Sequence, residues 1–428
     1  MRRIATLAAA LVTLSTTAAR AQLEQASVYS TTVYREGPGL RLGDGSVALH
    51  AGVSLENGYD SNIFYSASDP IGAGILRLRM HFDLAPLRLE SYETDQSTAL
   101  RTFEFKLSSQ IEYREYESGN DAVRAQRSLI ASFIGEFTLF PRGPIELTLS
   151  DMFARTVDPT NSEGPGSYVR DFNRVGVLGI YRYGALESGV SNSFDVNYWE
   201  TRSISFADHV SDEAQGYTRI RFLPQTVGSL VVRGRYVSYG NNPDINATQL
   251  RAIAGATTLI DEWVGVTANV GYGNSFNATR DSYSGPIGNL GVRFFLPYRI
   301  SAMVGYDRDF QESMFANFYT DDAFLVSVAK PLVSALSAQA GGSIRFRHYG
   351  PLISPMLVMA DGYSSSERND RLYEAHAELD YRMAPWLALG VNYNLLVDDT
   401  NFEFLTNLGP EPVHYVKHSV FARADFAY

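Results

Sequence analysis

The sequence predicts an all-β chain, a transmembrane antiparallel up-and-down β-barrel of about 18 strands (16–18). Three observations predict it. Apolar and polar residues alternate with a period of two along most of the chain, and helical periodicity is scarce. No apolar run after the leader approaches the roughly 18 residues that a membrane helix needs, although 26 Tyr and 24 Phe stand against only 19% charged residues. Finally, the connections fall into a short class and a long class that take turns along the chain. A chain that crosses lipid without helices must close a sheet on itself, because only closure satisfies every backbone group there.

The leader comes first. Met1-Arg2-Arg3 is a basic start, Ile4 to Thr17 is an uncharged run of apolar and small residues, and Ala19-Arg20-Ala21 is a small-x-small cleavage site. This is the three-part pattern of a secretory signal peptide over residues 1–21. Cleavage after Ala21 leaves 33 basic against 47 acidic side chains. That acidic balance excludes nucleic acid as a partner, and the lack of cysteine excludes a disulfide framework. Residues 22–45 form a lead segment on the periplasmic side, and residues 46–428 form the barrel.

Strands are predicted near 47–58, 73–84, 99–115, 124–139, 145–157, 168–182, 186–200, 212–222 and 229–239. They continue near 248–259, 264–274, 286–295, 300–311, 319–329, 336–348, 371–382, 387–397 and 413–428. The clearest is 264–274, where Val264, Val266, Ala268, Val270 and Tyr272 oppose Gly265, Thr267, Asn269, Gly271 and Gly273. Short connections such as "FPRGP" (140–144), "LPYR" (296–299) and "IDEW" (260–263) alternate with longer ones rich in Asn, Asp, Ser and Gly. Short periplasmic turns facing long outer loops are the outer-membrane arrangement. Trp199, Trp263 and Trp386 sit near strand ends and are expected in the aromatic girdles. The last strand ends "SVFARADFAY": Val420, Ala422, Ala424, Phe426 and Tyr428 make one apolar face, expected to meet lipid while the strand closes on the first.

The other face of each strand is expected to line a lumen. Candidate lumen residues are Arg77, Arg79, Glu104, Lys106, Arg219, Arg221, Arg233, Arg235, Arg345, Arg347, Glu374, His376 and Glu378. Each of these charges would cost about 2–4 kcal/mol if turned to lipid at mid-bilayer. Their mixed signs suit a ladder of ion pairs that stiffens the wall, with a dedicated binding site as the second reading. Tyr181, Tyr239 and Tyr349 belong either to the girdle or to sugar-stacking faces. No connection reads as a loop folded into the pore, so a broad conduit for an acidic or hydroxyl-rich solute is expected. Neither G-x-S-x-G, H-E-x-x-H, a Walker loop nor a dinucleotide fingerprint occurs. No enzymatic activity, cofactor or metal is therefore expected, and "DGYSSSERND" (361–370) reads as a solvated outer loop.

One stretch is more specific. "VSLENGYDSNIFYSASDP" (53–70) carries Tyr59, Asp60, Asn62, Ile63 and Phe64 in the pattern aromatic, Asp-x-Asn-aliphatic-Phe. It resembles the first strand and loop of an outer-membrane β-barrel family encoded beside exopolysaccharide secretion systems. The terminal aromatics Phe426 and Tyr428 resemble the assembly signal of Gram-negative outer-membrane proteins, read by the barrel assembly machinery. The resemblance implies a barrel seated in outer-membrane lipids that exports a polysaccharide with a periplasmic polysaccharide export protein as partner. A general or sugar-uptake porin is the alternative, and an adhesin or structural barrel is the third reading.

Overall fold

The computed structural model describes residues 39–43, 47–86, 102–157, 169–200, 202–277, 282–313, 316–352, 362–363, 367–406 and 409–428. The predicted signal peptide, most of the lead segment and the connection 87–101 lie outside them.

Eighteen strands form one closed antiparallel sheet. They are β1 (Val47–Asp60), β2 (Ala73–Pro86), β3 (Phe103–Glu117), β4 (Ser128–Leu139), β5 (Ile145–Thr156) and β6 (Arg170–Tyr183). Next come β7 (Leu186–Trp199), β8 (His209–Leu223), β9 (Thr226–Tyr239), β10 (Ala247–Leu259), β11 (Val264–Asn277) and β12 (Ser284–Leu296). The last six are β13 (Ile300–Gln311), β14 (Tyr319–Val333), β15 (Leu336–Tyr349), β16 (Asn369–Ala384), β17 (Leu387–Thr400) and β18 (Tyr415–Ala427). Each strand pairs with its sequence neighbours, and β18 returns to β1 through Ser419↔Asp60 to Ala427↔Gly52. Closure removes both edges, so every stave has a partner on each side.

Every predicted strand is present, and the boundaries shift by a few residues. The largest local difference precedes β4: part of the predicted strand 124–139 belongs to a helical turn, Asp121–Arg124, capped by the Asn120 side chain on the Ala122 amide at 2.8 Å. Asn before a buried Val123 favours the cap over continued extension. Within the predicted lead segment, Leu40–Leu42 folds back as a short antiparallel arm on Leu49–Val47. A further small sheet, Gly362–Tyr363 with Glu403–Thr406 and Gly409–Pro412, stands among the outer connections.

The strands run 12 to 16 residues, longer than the roughly 9–11 that cross a bilayer. The surplus projects on the outer side. There, outward-facing positions become polar: Arg308 bonds Asp322 at 2.7 Å, Arg155 pairs with Asp171 and Glu200, and Asn192 donates to Asp212 at 2.7 Å. Below this level the outward face is apolar, with Val53, Leu55, Leu78, Phe82, Val190, Val270, Val304 and Phe324 exposed. Trp263, Trp386, Tyr181, Tyr183 and Phe222 ring its periplasmic border. Phe426 and Tyr428 are on this surface, Phe426 stacking on Trp386 at 6.3 Å. The whole forms a lipid-facing belt with a polar rim above it.

Candidate functional site

The period-two geometry that turns valines outward sends the intervening side chains inward, and the register decides which of them meet. Contacts between strands that are not neighbours form most easily across the concave side, and within the wall they mark its inner face. Arg251 on β10 reaches Asp309 on β13 at 3.2 Å, and Arg423 on β18 reaches Glu378 on β16 at 2.7 Å.

The wall is organised as ion-pair clusters. At the seam, Glu56 on β1 takes Arg77 at 2.6 Å and Arg79 at 3.1 Å, while Glu112 on β3 takes Arg79 at 2.5 Å and Arg114 at 3.0 Å. All five side chains are buried, and Arg77 also lies 3.9 Å over the Phe421 ring. Arginine suits such a place, because its fork holds two carboxylates at once and stacks on rings. On β14 and β15, Asp321 binds Arg347 through both oxygens at 2.9 and 3.0 Å and Arg345 at 3.5 Å. A third group spans β6 to β9. Arg174 grips Asp195 through two 2.6 Å bonds, Ser211 donates to the same carboxylate at 3.2 Å, and Arg235 donates to the Ser211 hydroxyl at 3.0 Å. Arg233 pairs with Glu213 at 3.4 Å and Arg219 with Glu187 at 3.4 Å.

The remaining candidates are spread out. Lys106 lies opposite Glu136 in register, beside the β3 residue Glu104. Arg221 is exposed at the periplasmic end of β8, and His376 is exposed on β16. Glu374 accepts from Ser343 at 3.2 Å, while Glu378 joins Arg423, Asp380 and Gln339. The thirteen positions therefore form several clusters around the wall and do not converge on one centre. The sequence pattern passed over Glu56, Arg174, Asp195, Arg251, Asp309, Asp321 and Arg423. Most of these charges have no like-placed charge two residues away on their own strand, and only register shows which partners they meet.

The family-like motif has a local task. After β1 the chain turns inward, and Asn62 accepts from the Ser66 amide at 2.9 Å while donating to the carbonyls of Ser66 (2.8 Å) and Val416 (3.2 Å). Asp60 accepts from the Asn62 amide at 3.0 Å and binds Lys417 of β18 at 2.8 Å; that ammonium also donates to the Asn62 carbonyl at 3.0 Å. Lys417 sits 3.9 Å over the ring of Tyr65, whose φ of 56° is unusual for a side chain of that size. Ile63 and Phe64 pack with Ile75, Tyr116, Val123 and Phe421, whereas Tyr59 points outward. The motif thus pins the first outer connection across the seam.

Three expectations are corrected here. Outer connections do fold inward: Ala316, Leu352, Phe402 and Val413 from three of them form one apolar core with Tyr319 and Tyr349. Glu312, from the connection after β13, bonds Arg235 on β9 and Gln249 on β10, the latter at 3.2 Å. Such loops have apolar anchors but no periodicity, which is why strand alternation did not show them. Trp199 is not in the girdle: it is 4% exposed on the inward side and packs with Ala207, because the outer ends of the strands stand clear of lipid. The stretch 361–370 is not solvated at its end, where Arg368 binds Asp370 at 2.6 Å, both buried, with Arg368 over Tyr349 and Phe402. Of the three tyrosines, Tyr181 faces outward, while Tyr239 and Tyr349 are buried inside.

No protein-family model matches the chain, and no curated protein matches it. Among solved structures it is similar to Pseudomonas aeruginosa OccK2 (OpdF) in complex with glucuronate, at 10% identity over 89% of this chain and 98% of that one, with a TM-score of 0.50. It is also similar to OccK11 (OpdR) of the same organism, at 12% identity over 93% and 100%, with a TM-score of 0.46. A third is OpdK with vanillate, at 11% identity over 89% and 99%, with a TM-score of 0.48. The chain shares with OccK2 the fold of a closed antiparallel β-barrel. At these identities the likeness to OccK2 speaks for the fold, and the inner wall has to speak for the cargo.

Proposed function

We propose that the barrel is a selective outer-membrane porin for uptake of a small hydrophilic solute rich in acceptor oxygens, an organic acid or a polyol. The observation that carries this reading is the inward fold of the outer connections, above all Glu312, which is tied to Arg235 four strands away. A mouth crossed by packed loops and lined with guanidinium and carboxylate groups favours small solutes that exchange hydrogen bonds with the wall. A polymer would need the unobstructed conduit that the sequence pattern had suggested. The exopolysaccharide reading, with its periplasmic export partner, rests on the Asp60–Phe64 resemblance, and those residues have a sufficient task in holding the seam.

Deletion of the gene separates the two. The uptake reading expects a growth defect on one carbon source with the surface polysaccharide intact, whereas loss of that polysaccharide would replace it with the export reading. In proteoliposomes, uptake of monosaccharide-sized solutes with exclusion of long oligosaccharides is the expected result.

A further inference from the structure

Most arginines on the inner wall are neutralised by a carboxylate partner; Arg170 has no such partner among the described residues. It opens β6, and its register partner is Trp199 at the end of β7. Its guanidinium carbon lies 5.6 Å from the centre of the Trp199 ring. Arg174, two inward positions along the same strand, has both its donors on Asp195, but among the described residues Arg170 has no carboxylate partner. Its Nε is buried without an acceptor, and so is Nε1 of Trp199. Two adjacent buried donors, one of them charged, are costly to leave unpaired. His209 and Tyr239, in tilted ring contact at 4.9 Å, stand on the next two strands; the His209 Nδ1 is satisfied by the Ala207 carbonyl at 2.8 Å.

We infer that the Arg170–Trp199 corner is a docking step for the carboxylate of a small organic acid at the outer end of the passage. Arg170 supplies the charge and an N–H, and the indole N–H supplies a second donor; both atoms are buried at rest, so engagement requires these side chains to turn toward the passage. A carboxylate has two acceptor oxygens, one for each donor, whereas a neutral polyol leaves the guanidinium charge unanswered. This inference deepens the proposed porin reading and rests on the inner wall being a solute passage.

The chain has three tryptophans, so Trp263→Phe with Trp386→Phe leaves Trp199 as the sole indole reporter in detergent-solubilised barrel. Titration with sodium gluconate is expected to shift Trp199 emission saturably, while sorbitol does not. Arg170→Gln should weaken the effect at least about tenfold, the usual scale for a lost charge-assisted bond. Arg170→Lys, which keeps the charge but loses Nε, should fall between. In planar bilayers, gluconate added on the outer side should interrupt the current of the unmodified barrel, and Trp199→Phe should shorten those interruptions. Heat-modifiable migration shows that each variant is folded, and Arg170→Lys carries the test if Arg170→Gln is not. Emission that ignores gluconate, or responds equally to sorbitol, or is unchanged by both Arg170 variants, overturns the docking site. Current without gluconate dependence leaves the porin standing and removes the corner; gluconate binding without any current does the reverse.

Discussion

Lys417 occupies a position with few substitutes. Its ammonium is bound by the Asp60 carboxylate and the Asn62 carbonyl while resting on Tyr65, so it joins the last strand to the connection that follows the first. Lys417→Met leaves Asp60 buried without its cation, a loss of about 3–5 kcal/mol when a buried pair is broken on one side. The expected outcome is a folded-to-unfolded gel transition at clearly lower temperature than that of the parent barrel. Glu112 offers a second case. It is shared by Arg79 and Arg114, with Arg77 3.9 Å away, and Glu112→Gln leaves guanidiniums facing one another around Glu56 alone. Thermal stability should fall by a similar amount, and adding Arg114→Gln should restore part of it, because the second change removes the excess charge. A double-mutant cycle on urea midpoints measures both.

At the scale of elements, the strands were legible and the connections were not. Alternation is a local property, and β11 shows it without help: Val264 to Tyr272 face one way and Gly265 to Gly273 the other. The inward fold of the outer connections depends on apolar residues far apart in sequence, such as Ala316, Leu352 and Phe402, and no spacing rule joins them. The ion pairs were half legible. Charges placed two apart marked a polar face, but Arg174 and Asp195 become partners only through the β6–β7 register. Trp199 misled for a related reason. The sequence shows that it ends a strand, but not how far that strand stands above lipid. The connection after β13 yields its own prediction. Glu312→Ala frees it from Arg235 and Gln249, and single-channel recordings should show larger conductance and more frequent switching between levels.

For the whole molecule, the sign of a substitution's effect should depend on which side of the wall it faces. Val270 is outward, in the middle of β11, and 70% exposed; its neighbour Asn269 is inward, donating to Asn289 at 2.8 Å. Val270→Arg puts a charge into the apolar belt and should cost about 2–4 kcal/mol, read as reduced folding yield into lipid vesicles. Asn269→Arg should fold normally and alter ion selectivity instead. Equal effects at the two positions would be inconsistent with a barrel that has lipid outside and water inside.

The β1–β18 ladder comprises nine residue pairs, Gly52–Asp60 against Ala427–Ser419, whereas β1 and β2 share fourteen. The β4–β5 and β12–β13 ladders are equally short. The β1–β18 joint differs in bringing together the two segments most distant along the chain, so it is the last to zip during assembly. Asp60, Asn62 and Lys417 buckle it near its outer end, and Trp386 with Phe426 and the bond from the Tyr428 amide to the Ala51 carbonyl hold its inner end. Any sideways exit from the lumen into the bilayer would open between these two fasteners.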